Sequence, residues 1–301
     1  MTATGRESDS PAPFPGGAAK LAGRAVARIG FGAMQLEREA VGRDAAVAIL
    51  RQAAGAGVNH IDTAHFYGPA NALIRHALTP YPDQLVLATK VGAARDDSGA
   101  LVPAQRPEQL RDQVEANLAT LGTGQVDVVN LRRIDAGPGL TAEGDQQVSL
   151  DDQLAELSAL RDAGKIGAIG LSNVSAGQLR QALPAGIACV QNSYSVLDRS
   201  AEPVFQLCRE HDIAWVPFFP LGSAFPNRPK VTGNPAIAAV AADVGATPAQ
   251  VALAWLLAHY GNTLLIPGTS DPAHLAENIA AGSLRLPAPS IGTLDQLAAT
   301  P

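Results

Sequence analysis

Short apolar runs alternate with stretches of helical period along most of this chain. Runs at about 28–33, 58–62, 86–90, 126–131, 167–171, 187–191, 213–217 and 263–267 are rich in β-branched or aromatic residues and carry little polar alternation. That pattern predicts parallel strands buried on both faces. Amphipathic stretches at about 43–56, 70–78, 107–121, 149–163, 175–182, 200–210, 247–258 and 271–281 predict helices between and after them. Pro107, Pro203 and Pro248 fall near helix starts, where a missing N–H costs nothing. Gly57, Gly122 and Gly164 fall near helix ends, where a left-handed residue is wanted.

Eight strands, eight helices and no linker between halves predict a single α/β domain, a (β/α)8 TIM barrel over residues 21–301. Residues 1–20, rich in Pro, Gly, Ala and Ser, are expected to be a mobile N-terminal segment. The alternative is an open doubly wound sheet. Its dinucleotide fingerprint is incomplete, because Gly30-Phe31-Gly32 continues as Ala33-Met34-Gln35 without the third glycine. In the barrel, chemistry gathers at the carboxyl ends of the strands, so polar residues at those ends can be read as one site.

Composition narrows the partners. The 301 residues are 47% hydrophobic and carry a net charge of −6 without long basic runs, which points away from nucleic acid and anionic membranes. No apolar run approaches the ~20 residues of a spanning helix, and the first residues lack the apolar core of a secretory signal. Two cysteines, Cys189 and Cys208, give no disulfide framework and suit a cytoplasmic setting. His60 and His76 have no partner at metal spacing, so no metal is expected. Oligomeric state is left open.

Of the four lysines, Lys90 closes the third strand, and Asp62 closes the second. Tyr67 follows in the loop after Asp62. A free phenol titrates near ~10, and a neighbouring ammonium lowers that value. A carboxylate beside the lysine keeps it charged. The trio therefore reads either as a proton donor for a carbonyl under reduction or as a salt bridge at the barrel mouth with a packed tyrosine.

The segment Asp62-Thr63-Ala64-His65-Phe66-Tyr67-Gly68 resembles the signature of aldo-keto reductases. So do Arg28 to Met34, Gly164 to Asn173, Gln191 to Tyr194, and Pro220-Leu221-Gly222, in the family's order. The resemblance runs from about residue 24 to 281. It implies an enzyme that passes hydride from NADPH to a small-molecule aldehyde or ketone without metal. It casts Tyr67 as proton donor, Lys90 as the group lowering its pKa, and Asp62 as the partner of Lys90. On the cofactor side it implies Ala33, Met34 and Asp62, then Ser172, Asn173 and Gln191 at the nicotinamide carboxamide. Phe218 would stack on the ring, and Leu221, Gly222 and Ser223 would cover the pyrophosphate. Gly268, Thr269, Ser270, His274, Glu277 and Asn278 would serve the 2′-phosphate and adenine, aided by the start of the last helix. Gly268 and His274 stand where many relatives have lysine and arginine, so NADH is also possible.

The sharpest departure is Arg132, at the end of strand four, where many relatives have histidine. Arginine stays protonated and cannot relay a proton, but it can donate to an oxygen and depress the pKa of Tyr67. Three readings follow: carbonyl reduction with Arg132 as oxyanion donor and an anionic or hydroxyl-rich substrate; reduction of a conjugated C=C bond or another NADP-linked step; or an NADP(H)-binding redox-sensing subunit. His65 is a pocket or supporting residue, and the loop at about 132–148 is either a lid over the mouth or surface loop.

Overall fold

In the computed structural model, which describes residues 14–37, 42–135, 140–222 and 230–297, the apolar runs become a parallel sheet. Its strands are β3 (Phe31–Gly32), β4 (His60–Asp62), β5 (Val86–Val91), β8 (Val126–Arg132), β9 (Ile166–Ser172), β10 (Ile187–Gln191) and β11 (Ala214–Trp215). They lie side by side in the order β11-β10-β9-β8-β5-β4-β3. Apart from one inserted hairpin, every neighbour is the next strand in the chain. The reversal of order that a doubly wound sheet requires is absent among the described residues.

The stretch expected as an eighth strand joins both edges of this sheet by isolated parallel bridges, Trp215 with Thr263 and Ile29 with Leu265. Leu264 N–H donates to the Trp215 carbonyl at 2.8 Å, and Leu265 N–H to the Arg28 carbonyl at 2.8 Å. Regular strand structure is thus shorter here than the run at 263–267 predicts, and the first strand shrinks to β3. Both face glycine-rich backbone at a close approach. An added Cβ on Gly32 would lie 2.5 Å from the Ile266 carbonyl oxygen.

The helices are α1 (Arg43–Gly55), α2 (Ala70–Leu78), α3 (Pro107–Leu121), α4 (Leu150–Asp162), α5 (Ala176–Ala182), α6 (Glu202–Glu210), α7 (Pro235–Val244), α8 (Pro248–His259), α9 (Pro272–Ala280) and α10 (Ala288–Asp295). Outward residues of the strands, among them Leu87, Val129, Leu131 and Ile169, pack against Leu110, Val114 and Leu157 of α3 and α4 in the main core. Inward residues Val86, Ala88, Val128, Cys189, Ala214, Val216 and Leu264 form a second cluster inside the curled sheet. Burial on both faces is why these strands read as continuous apolar runs.

Four elements were not in the sequence pattern. A hairpin of β1 (Ala18–Leu21) and β2 (Arg24–Ala27) plugs the lower end, placing Leu21 and Val26 in the inner cluster. It crosses the boundary drawn at residue 20, so Ala18 to Lys20 are paired strand rather than tail. A second hairpin, β6 (Ala93–Arg95) with β7 (Leu101–Pro103), follows β5 at the upper end. Helix α7 starts on Asn234, whose side chain accepts from the Ala236 and Ile237 amides. Helix α10 is fastened by Asp295, which accepts from Trp255 Nε1 at 2.9 Å. Among the described residues no single helix is long and apolar enough to cross a membrane; α7 and α8 pass that test only together and are bent by 87°.

Candidate active site

Alternation along β4 and β5 turns Asp62 and Lys90 to the inside of the sheet at its carboxyl end. Their side chains form a buried ion pair. The second Asp62 oxygen accepts from Gln191 Nε2 at 2.7 Å, across the interior from β10. Lys90 Nζ also reaches the Thr63 carbonyl at 3.4 Å and lies 5.3 Å from the centre of the Tyr67 ring. The neighbouring strands β4 and β5 and the loop after β4 therefore bring Asp62, Lys90 and Tyr67 together, as the sequence predicted.

Burial pushes the Tyr67 hydroxyl above the ordinary phenol value. Lys90 pulls it down, Asp62 pushes it up, and Arg132 pulls it down. The expected lowering by Lys90 is present, but burial outweighs it, so Tyr67 stays a neutral phenol. Burial also disfavours the Lys90 ammonium, yet Asp62 and Tyr67 outweigh that cost and hold it above the ordinary lysine value. The pair is a protonated phenol beside a firmly charged ammonium, which is the state an acid must be in before it donates.

The loop carrying Tyr67 is held from several sides. Tyr67 N–H donates to the Ala64 carbonyl at 3.0 Å, and Gly68 takes a positive φ of 52° to turn the chain into α2. Arg95 Nε, on the unforeseen β6, donates to the Phe66 carbonyl at 2.9 Å and pairs with Glu37 at 3.0 Å. Phe66, Ala64 and Ala93 form a small apolar cluster joined by Tyr67, Leu101 and Leu140, which walls one side of the mouth. Behind the ion pair, Thr63 and Thr89 point outward into a buried amide chain. Thr63 donates to Asn71 at 2.8 Å, Asn71 to Asn117 at 3.0 Å, and Thr89 to Asn117 at 2.6 Å. These bonds fix the strand ends that carry Asp62 and Lys90.

His65 lies partly buried before Tyr67, and burial lowers its pKa to about 4, so it is neutral at pH 7. Its Nδ1 is buried without a hydrogen-bond partner among the described residues. Its ring meets Phe66 edge-on at 5.3 Å.

Arg132 ends β8 and Arg133 follows it, and the two side chains have different surroundings. Arg133 is fully engaged: it pairs with Asp135 at 2.5 Å, donates to Gln153 Oε1 at 2.5 Å and to the Val148 carbonyl at 3.1 Å. Gln153 in turn holds Gln105, which donates to the Gly92 and Arg132 carbonyls at 2.6 and 2.8 Å. The Arg132 guanidinium has no hydrogen bond or ion pair among the described residues. It is close enough to Tyr67 for their charges to act on one another.

The cofactor-side residues are arranged unevenly. Ser172 is buried beside Gln191 in register, and Gln191 Oε1 is buried with no partner among the described residues. An orphaned acceptor there fits the N–H of a carboxamide. Asn173, at a φ of 59°, donates to the Arg133 carbonyl at 2.9 Å, so its amide nitrogen is already in use. Ala33 is buried and Met34 partly exposed in the turn after β3. Phe218 is half-buried and meets Phe219 edge-on at 5.1 Å. Leu221 and Gly222 follow at the same end, while Ser223 lies outside the described residues, as do 136–139 of the loop after β8.

At the expected phosphate site the structure corrects one point. The first amides of α9 are taken by Asp271, which accepts from Ala273 at 2.7 Å and His274 at 3.3 Å. The helix start is therefore capped by an anion instead of standing open for one. Thr269 accepts from the Asp271 amide at 3.0 Å, Ser270 is partly exposed, and His274 is exposed. Glu277 is partly exposed and Asn278 buried. Gly268 is a close-approach glycine: an added Cβ would stand 2.5 Å from the Gly32 carbonyl oxygen. A lysine does not fit this backbone.

Comparison with known proteins agrees across sequence and structure. The model of the aldo/keto reductase family matches residues 28–299. The chain is 44% identical over 283 residues to a pyridoxine 4-dehydrogenase from Escherichia coli, covering 91% of this chain and 96% of that protein. Its fold superposes on an aldo/keto reductase from Klebsiella pneumoniae solved with NADP and acetate, with a TM-score of 0.79 and 26% identity, covering 94% of this chain and 96% of that one. A Klebsiella pneumoniae aldo-keto reductase solved with NADPH gives a TM-score of 0.78 and 25% identity, covering 94% and 95%.

Proposed function

Because the chain belongs to the aldo/keto reductase family, we propose that it interconverts an aldehyde or ketone and its alcohol with NADP(H), Tyr67 acting as the proton donor. The Escherichia coli relative makes pyridoxal and pyridoxine the first pair to test. The observation that carries the reading is the Tyr67 ring 5.3 Å from a buried Lys90 whose charge is held by Asp62. We also read the bridged stretch at 263–265 as the eighth stave of a closed barrel, supported by its bonds to both sheet edges, and the two buried free cysteines as suited to the cytoplasm.

NADPH, when bound, supplies the hydride to the carbonyl carbon. Gln191 Oε1 and Ser172 face the place where a carboxamide would be held, and the half-exposed Phe218 offers a stacking face. The Solved relatives with NADP and NADPH support that cofactor; here Thr269, Ser270 and His274 would meet the 2′-phosphate. As the carbonyl oxygen gains charge, Tyr67 gives it a proton. The phenolate left behind is stabilised by the Lys90 ammonium, and Arg132 adds a second positive charge. Asp62 and Gln191 hold Lys90 in place and take no proton.

Stopped-flow mixing of NADPH-loaded protein with pyridoxal and other carbonyl compounds tests this directly. Tyr67→Phe should lower turnover by about 10²–10⁴-fold, the range of general acid catalysis, with NADPH affinity by fluorescence little changed. Retained turnover would show that Tyr67 is not the acid. Product analysis separates an alcohol from a saturated carbonyl.

A further inference from the structure

We infer that Arg95 is a positioning residue of the reaction: it fixes the peptide unit that leads into Tyr67, and so sets where the phenol stands when it gives up its proton. This rests on the reading of Tyr67 as proton donor above.

The Arg95 guanidinium reaches the loop after β4, the turn of its own hairpin and the turn after β3. Nε donates to the Phe66 carbonyl at 2.9 Å, Nη1 to the Gly99 carbonyl at 2.7 Å and Nη2 to Glu37 Oε2 at 3.0 Å. The first bond bears on the chemistry. The Phe66 carbonyl and the Tyr67 N–H belong to one planar peptide unit. Arg95 holds its oxygen, and the Ala64 carbonyl accepts from its N–H at 3.0 Å. The next unit is held as well, because the Tyr67 carbonyl accepts from the Ala70 N–H at 3.1 Å. With both units pinned, the backbone at Tyr67 is fixed and only the side-chain torsions remain. The Phe66 ring, edge-on at 5.2 Å, limits those.

Arg95 is offered from a rigid arm. Asp96 closes the tip of its hairpin by accepting from the Ser98 and Ala100 amides at 2.9 and 3.0 Å. At the foot, the Gly92 N–H donates to Gln113 Oε1 at 2.8 Å, and the Gly92 carbonyl accepts from Gln105 at 2.6 Å. Leu101, opposite Arg95 in register, joins the apolar wall with Phe66 and Tyr67. Glu37 ends the turn Ala33–Glu37 after β3 and supplies the counter-charge. The Arg95 and Glu37 side chains are 39% and 31% exposed, and so wet an ion pair contributes little stability. Its use lies in aiming the fork at the Phe66 carbonyl. Proton transfer needs heavy atoms about 2.6–3.2 Å apart, and a misplacement of about 1 Å costs up to about 10²-fold in rate. A lysine carries a point charge and cannot reproduce a fork spread over three partners.

The test uses the whole protein with saturating NADPH and two aldehydes, pyridoxal and benzaldehyde. Arg95→Leu should lower kcat with both by about tenfold to a hundredfold, with KM and the NADPH dissociation constant, read by fluorescence, little changed. That split separates positioning from a general loss of structure, which would weaken NADPH binding too. Arg95→Lys should keep part of kcat. Glu37→Gln leaves the bond to the Phe66 carbonyl in place and should lose far less than Arg95→Leu. Because the site is open to solvent, guanidinium chloride below denaturing concentrations should restore part of kcat to Arg95→Ala, while urea or sodium chloride at the same concentration should not. Wild-type kcat in Arg95→Leu would overturn the inference and leave carbonyl reduction standing. A loss in Glu37→Gln as deep as in Arg95→Leu would also overturn it and assign the effect to the ion pair. A fall in NADPH affinity matching the fall in kcat would overturn it in favour of a structural role. No hydride transfer to either aldehyde by the wild type would remove the functional reading and this inference with it.

Discussion

Two residues apart on β4, His60 and Asp62 face the same interior, yet the two ends of that interior treat them differently. His60 is 2% exposed at the lower end, and neither ring nitrogen makes a hydrogen bond of normal geometry. The fold accommodates it by keeping it neutral. Burial lowers its pKa to about 4, with the Ala27 backbone opposing weakly. It accommodates its bulk through Gly30, whose missing Cβ is the space the imidazole fills. Asp62 is 3% exposed at the upper end and uses both oxygens, one on Lys90 and one on Gln191. An unpartnered polar atom is therefore no signature of function by itself. At the closed end it is sealed by the β1–β2 plug. At the open end, among the described residues, Gln191 Oε1, His65 Nδ1 and the Arg132 guanidinium are left without hydrogen-bond partners.

The largest effect expected is at the open end. Asp62→Leu leaves Lys90 charged and unpaired in the interior, and removing one partner of a buried pair costs about 3–5 kcal/mol. The urea midpoint should fall accordingly. Asp62→Leu with Lys90→Met should recover most of that stability, because both charges are gone, while turnover stays lost. If the single variant were as stable as wild type, the pair would not be held as described.

The closed end should respond to pH instead. His60 is depressed in the fold relative to the ordinary value of 6.5, so between those values the unfolded chain binds the proton first. Its contribution is fully present above about 6.5 and is lost as pH falls toward about 4, amounting to roughly 3 kcal/mol. Unfolding free energies measured from pH 7 to pH 4.5 should decline, and His60→Gln should flatten part of the slope. An identical slope in that variant would mean that the fold does not depress the pKa of His60.

The difference between the two ends also marks what could be read in advance. Helices α2 and α3 fell on their predicted limits because a turn, a proline at the first position or a glycine at the end punctuates them. Asp62, Lys90 and Tyr67 were legible because strand alternation and the family's motif agree. Hairpins β1–β2 and β6–β7 are too short to show a period, so the plug and the Arg95 anchor of the Tyr67 loop stayed hidden. Gln105 and Gln153 carry no signal in the sequence pattern, although both are at most 1% exposed. Only their partners, the Arg132 and Gly92 carbonyls and Arg133, reveal why a buried amide is tolerated. The capping role of Asp271 at the start of α9 is likewise visible only in its bonds to the Ala273 and His274 amides.

The smallest effect tests whether the lower end is built by shape. At Gly30 an added Cβ would stand 2.1 Å from His60 Nε2 and 2.4 Å from two ring carbons. Those atoms belong to a stiff ring enclosed by the hairpin plug, so they cannot swing away as a flexible chain end would. Gly30 also donates its N–H to the Leu265 carbonyl at 2.7 Å, which ties its backbone to the bridged stretch and limits how far the strand can retreat. Gly30→Ala should therefore destabilise by about 1–3 kcal/mol, the usual cost of overpacking. The three nearest atoms all belong to the ring, so His60→Ala in the same chain should cancel most of the penalty of the added methyl relative to His60→Ala by itself. Urea unfolding of the wild type, both single variants and the double variant closes that cycle. Additive losses would show that Gly30 is required by its backbone and not by the histidine, and the contrast between a shaped end and a charged end would fail at its lower half.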